Sequence, residues 1–162
     1  MIDFRPCNED IEKCQNELCE YLKNSIPVSW DKIVLYAKCK KTTRTARAAF
    51  REKTTGIVVT NEFWFDRYES YPVPKMDLLT TQIEFVRELN RLYRLAYGDD
   101  NVWATMAFII EEDGSYHLDL SDEMPNRNME EERNWLVKTY FNTHYKQIKG
   151  LYPSVEVEYS AE

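Results

Sequence analysis

His117 and Asp119 stand two residues apart in the stretch YHLDLS. At that spacing an imidazole and a carboxylate share one face of a strand, and such a pair can work as an acid–base couple. The same pair is also the ordinary polar side of a half-wet strand. Neither His117 nor His144 has a serine or cysteine beside it in a recognisable nucleophile context. The chain has no GxSxG elbow and no glycine-rich phosphate loop. Catalytic residues are therefore expected to be absent, and cofactors with them. Metal chemistry fares no better. Cys7, Cys14, Cys19 and Cys39 form no CxxC pair, and the two histidines are far apart in sequence. Glu111, Glu112 and Asp113 are consecutive carboxylates that could meet a cation, but the EF-hand spacing is missing. No metal site is expected, and the cysteines read as reduced cytosolic thiols.

Charge says more than any motif. Between Asp99 and Trp135 eleven acids face only Arg127 and Arg133, a net of minus nine. The whole chain carries −7. Between Asp31 and Thr60 the balance reverses, with eight basic residues against Asp31 and Glu52. Most single charges in such runs serve as solvated surface. As a set, the acidic loops and turn suit a basic protein partner steered by its field. A nuclease is one such partner, because its own ligand is polyanionic. The basic stretch alone would suggest nucleic-acid binding, but an acidic chain argues against it. Glu111, Glu112, Asp113, Tyr116, Asp119, Asp122, Glu123 and Glu130 are the expected partner-binding residues.

These residues must be held by elements that the pattern defines. Asn101 to Ser121 reads as a hairpin around Asp113-Gly114. A two-residue turn would set Phe108 opposite Asp119 and mix polar with apolar on both faces. A three-residue loop, Glu112 to Gly114, sets Ile110 opposite Tyr116, Phe108 opposite Leu118 and Met106 opposite Leu120. One face is then wholly apolar, with Trp103, Thr105, Ala107, Ile109, His117 and Asp119 on the other. A buried face fixes register, since a one-residue slip turns every side chain over. The expected turn is type I with a left-handed Gly114.

Residues 8–26 read as a helix with Asn8 as N-cap and Ile11, Cys14, Leu18, Tyr21 and Leu22 as its apolar stripe. Residues 32–40 and 44–51 read as strands, alternating Ile33, Leu35, Ala37 and Cys39 with Val34, Tyr36 and Lys38, and Ala46, Ala48 and Phe50 with Thr45, Arg47 and Ala49. A third strand lies within 56–65. Tyr71 to Pro74 reads as extended. A long helix spans Lys75–Tyr97 on the stripe Met76, Leu79, Ile83, Val86, Tyr93 and Tyr97, closed by Gly98. A last helix runs from Met129 to Ile148, with Met129, Leu136, Val137, Tyr140, Phe141 and Ile148 inward. Trp30, Trp64, Trp103 and Trp135 read as core or core-rim residues, of which one or two could anchor an interface. The order α-β-β-β-α-β-β-α predicts an α+β fold, an antiparallel sheet of about five strands with helices over one or both faces.

The chain has 162 residues, enough for one domain with a real core, expected over 1–150. Residues 151–162 read as a tail or a short edge strand. No apolar run is long enough to span a membrane, and MIDFRPCNED lacks the features of a signal peptide. A cytoplasmic protein is expected.

IPVSWDKIVLYAK, VWATMAFIIEEDGSYHLDLSDE and ERNWLVKTYF together resemble the YezG family of antitoxins, a family of immunity proteins. The likeness rests on Trp30, Leu35-Tyr36-Ala37, Trp103, Phe108, Asp113-Gly114, Asp119, and Arg133 with Trp135. It runs over nearly residues 10–145. TARAAFREKTTGIVVTNEFWF is poorer in aromatics and richer in arginine than the family's pattern, and the segment after Tyr145 looks like an extension. The resemblance implies a bacterial immunity protein that binds and silences a cognate secreted toxin, often the C-terminal nuclease domain of a polymorphic toxin. It implies no enzyme, no nucleic-acid partner and no membrane partner. Silencing would work either by burying the toxin's cleft or by holding the toxin inactive. A small-molecule enzyme using His117 and Asp119, or an adaptor without a toxin, are the rival readings.

Overall fold

The structure is a computed structural model that describes residues 8–40, 43–60, 68, 75–142 and 156–157. Among the described residues the order is α1 (Asn8–Asn24), β1 (Trp30–Lys40), β2 (Thr43–Glu52), β3 (Val58–Thr60), α2 (Lys75–Tyr97), β4 (Thr105–Glu111), β5 (Tyr116–Ser121), α3 (Met129–Phe141) and β6 (Glu156–Val157). A 3-10 turn at Asp99–Asn101 links α2 to β4. The fold is α+β, as the pattern predicts. All pairings are antiparallel, in the order β5-β4-β1-β2-β3-β6. Five strands are the expected ones, and the two-residue β6 adds a short sixth at the edge.

The sheet is covered on both faces. Ile33, Leu35, Ala37 and Cys39 of β1 join Ala48, Phe50, Met106, Phe108 and Ile110 beneath α1 and α2. Val34 and Tyr36 point the other way and pack with Ala49, Ala107 and Ile109 against Leu136, Val137 and Phe141 of α3. The period-two alternation of β1 and β2 therefore feeds two cores. Fully burying side chains such as Leu136 or Phe141 stabilises by about 1.5–3 kcal/mol each, which fixes α3 to the far face. α3 starts on a capping box. Asn128 Oδ1 accepts from Glu131 N at 2.8 Å, and Glu131 Oε1 accepts from Asn128 N at 3.1 Å.

The hairpin register is the one expected. Met106 faces Leu120, Phe108 faces Leu118 and Ile110 faces Tyr116. Gly114 N donates to Glu111 O at 2.9 Å, Glu111 N donates to Ser115 O at 2.8 Å, and Gly114 has φ +89°.

Four expectations need correcting. The buried stripe of α2 is Leu78, Gln82, Val86, Leu89, Asn90 and Leu92, whereas Met76 and Tyr97 are exposed. Asn90 sets this rotation, because its Nδ2 donates to Trp103 O at 3.2 Å while its Oδ1 accepts from Arg94 at 2.6 Å. Trp103 itself joins the α1/α2 face, edge-on to Tyr93 at 6.3 Å, since β4 begins only at Thr105. α3 ends at Phe141, where Asn142 turns left-handed at φ 51°. Residues 143–148, including Ile148, lie outside the described residues, as do Trp64 and Tyr71 to Pro74. Met129 is exposed, because it opens the first turn beyond the sheet edge. Asn8 is the first described residue of α1.

Candidate functional site

The hairpin β4–β5 carries most of the expected partner-binding residues and separates them into two groups. Six residues of extended chain span about 20 Å, so the tip acids and Asp122-Glu123 sit at opposite ends of β5.

At the tip, Asp113 Oδ1 accepts from Ser115 N at 2.9 Å and from Ser115 Oγ at 2.6 Å. Those bonds hold the Asp113 carboxyl below its usual range. Glu112 pairs with Lys53 at 2.6 Å, both side chains well exposed. The tip leans on α1. Cys19 Sγ donates to Gly114 O at 3.8 Å, and Tyr116 OH donates to Asn16 Oδ1 at 2.7 Å. Tyr116 also packs edge-on against Phe108 with ring centroids 4.8 Å apart. Tyr116 and Asp113 thus shape the tip as well as lining it, and Glu111 is half-buried at its base.

At the other end the chain leaves β5 through Ser121, Asp122 and Glu123 and turns back at Arg127 before α3. The Arg127 guanidinium lies 3.9 Å from the centroid of the Trp135 ring, and its Nη2 donates to Tyr36 OH at 3.0 Å. Cation–π contact and a hydrogen bond together hold this loop to α3 and β1. A cleft of about 270 Å³ opens here, lined by Tyr36, Asp119, Glu123, Arg127, Trp135 and Tyr140. Burial pushes the Tyr140 hydroxyl up to about 12, with the Asp119 carboxylate adding to it. Tyr36 is raised by burial too, while Arg127 opposes that shift. Asp122 lines a neighbouring hollow with Asp100 and Tyr97. Glu130 is exposed on the first turn of α3.

The structure therefore gathers Asp119 and Glu123 around one cleft, sets Asp122 beside it, and leaves Glu111, Glu112 and Asp113 at the far tip. Arg127 escaped the sequence reading, which counted it only as one base among many acids. A lone arginine shortly before a helix N-cap, with tryptophan on that helix, was the available signal. Glu132 differs from its neighbours. It is buried beneath α3, with its Oε1 2.7 Å from Lys38 Nζ of β1. The basic stretch is thus partly spent inside the fold, since Arg51 also pairs with Asp31 at 2.6 Å.

His117 and Asp119 lie on the same exposed side of β5, facing away from the α1/α2 core. α3 covers β4 on this side but leaves β5 open. Among the described residues no group of three or more His, Cys, Asp or Glu is placed to hold a metal ion. Cys14, Cys19 and Cys39 are free and buried. Among the described residues no helix is long and apolar enough to cross a membrane.

Comparison with curated proteins finds no match to this chain. Comparison with protein families does. The model of a family described as immunity protein YezG-like matches residues 11–158, from the first turn of α1 to just past β6. That span takes in the whole hairpin, the Arg127 loop and both cores. The chain belongs to the YezG-like immunity protein family.

Proposed function

We propose that this protein binds a cognate toxin by direct contact and neutralises it, that the toxin acts as a nuclease, and that the encounter takes place in the cytosol of the producing cell. Membership of an immunity protein family carries the reading. The exposed acids add the chemistry of the partner. Glu112, Asp113, Asp119, Asp122, Glu123 and Glu130 all stand in solvent on or beside one hairpin. A nuclease cleft must be basic to hold its polyanionic substrate, so the same field that draws nucleic acid draws this surface. The protein works here as a blocker and supplies no catalytic group.

The test is co-expression with the C-terminal module of the polymorphic toxin encoded beside it. The pair should co-purify, and titrating this protein into the module should abolish cleavage of DNA or RNA at equimolar ratio. A module that co-purifies but cleaves no nucleic acid keeps the immunity role and discards the nuclease. Failure to bind or protect discards both.

A further inference from the structure

β5 is the outer strand of the sheet, and among the described residues its one strand neighbour is β4. The register shows which backbone groups it leaves open. Glu111 N bonds Ser115 O, and bonded pairs recur at every second residue of an antiparallel ladder. His117 and Asp119 therefore turn their backbone groups toward β4. Tyr116, Leu118 and Leu120 turn theirs outward.

The side chains of those same three residues wall a groove on the α1/α2 face. Two adjoining hollows of about 540 and 550 Å³ share Tyr93 and Tyr97 of α2. Ile11 and Gln15 of α1 close the first, and Trp103 backs the second. Leu120 is 44% exposed and Tyr97 48%, which is high for large apolar side chains. The rim carries Glu12, Asp100 and Asp122, and among the described residues neither lining includes a lysine or arginine. On the opposite face of β5 stands exposed Asp119, with Glu123 just beyond the strand.

We infer that β5 accepts an extended strand of the toxin whose side chains alternate apolar and basic. Backbone bonds to Tyr116, Leu118 and Leu120 hold it. Its apolar residues fill the groove, and its basic residues lie beside Asp119 and Glu123. The period of two in a strand matches the two chemistries on the two sides of β5. A second copy of this chain fits less well, because antiparallel pairing of two β5 edges centred on Leu118 sets Asp122 and Glu123 of each copy beside the exposed tip acids Glu112 and Asp113 of the other. The partner's identity rests on the immunity reading above. The shape and charge of the groove do not.

Amide exchange and amide chemical shifts of the unmutated chain test this with two probes. One is the toxin module. The other is a short synthetic peptide alternating lysine and valine. Either probe should slow exchange at Tyr116, Leu118 and Leu120 and leave His117 and Asp119, already bonded to β4, nearly unchanged. Leu120→Pro removes one outward amide at an edge position where proline is tolerated. It should weaken toxin binding by about tenfold, the loss of one backbone hydrogen bond. Leu120→Ala keeps that amide and should weaken binding less. The exchange data come from the unmutated chain, so a fold defect in L120P leaves them standing. Toxin binding without protection of β5 overturns the inference and keeps the immunity reading. Peptide protection without toxin binding does the reverse. No protection by either probe, or protection that grows with protein concentration alone and tracks a dimer in sedimentation, overturns it.

Discussion

Gly114 shows how a single residue sets the hairpin. Its φ of +89° lies in the region where a Cβ is strained, and an added methyl would meet only Lys23 Nζ at 3.6 Å. That lysine is the end of a flexible chain, so the cost of Gly114→Ala is conformational. The variant should lose roughly 1 kcal/mol in denaturant unfolding. An unchanged midpoint would mean that the loop finds another turn type. A second residue-scale prediction concerns alkali. Burial raises the Cys14 thiol from 9.0 to about 11, with Glu88 adding to it, and the Tyr140 hydroxyl from 10.0 to about 12. The folded state then holds these protons where the unfolded chain has released them. Their contribution is complete below pH 9.0 and is lost as pH rises through 9.0 to about 12. The thermal midpoint should fall across that window, and Tyr140→Phe should flatten its upper part. Residue types and spacing made Gly114 legible in the sequence, because only one register buries a face. Arg127 was harder to read. Trp135 lies on the helix just after it, but its hydrogen-bond partner Tyr36 lies 91 residues away on β1, beyond the reach of any local pattern.

At the scale of elements, α3 is held by more than apolar burial. Lys38 and Glu132 keep 18% and 8% of their side-chain exposure, so their pair sits between sheet and helix. Glu132→Ala leaves the ammonium of Lys38 without its partner and should destabilise by roughly 2–3 kcal/mol, a little under a sealed pair because Lys38 reaches some water. Glu130→Ala, two residues away but exposed, should stay within about 0.5 kcal/mol. Urea midpoints of the two variants give the comparison, and equal losses would place the acids in one environment. The three neighbouring acids Glu130, Glu131 and Glu132 thus have three fates: solvent, helix cap and buried pair. Composition cannot separate them, since burial is decided by which face α3 turns to β1. The same limit rotated α2. Its boundaries were legible from Pro74 and Gly98, but apolar residues lie on several sides of it. A polar contact, Asn90 to Trp103 O, then chose the face.

For the whole molecule, charge remains the organising quantity. Acidic and basic halves meet at Lys38–Glu132 and Lys53–Glu112. The hairpin holds its acids at two ends about 20 Å apart, which is more than two Debye lengths at physiological salt, about 8 Å each. Reversing charge at one end therefore reports little on the other. Asp122→Lys with Glu123→Lys should slow association with the toxin module by about tenfold and reduce its salt dependence. Glu111→Lys with Glu112→Lys should do less, and thermal midpoints should barely move in either. Arg44→Glu with Arg47→Glu is the opposing control. If stopped-flow association slows only in that arginine pair, the contact surface lies on β2. Fold class and the order of elements along the chain were legible because alternation, caps and turn glycines agree from end to end, whereas the pairing of β1 with β4 was not, since it joins strands far apart in sequence. The placement of helices on both faces was left open by the sequence, since β1 is apolar on both sides and either count of layers satisfies it.

β6 lies on the opposite edge of the sheet, where Val58 and Val59 pair with Val157 and Glu156. In polymer terms, the described sheet is a monomer with two ends of unequal reactivity. β5 offers an edge of six residues and β6 an edge of two. An incoming strand can form a run of ladder bonds on β5 but only a rung or so on β6, so any edge-to-edge coupling starts at the hairpin side.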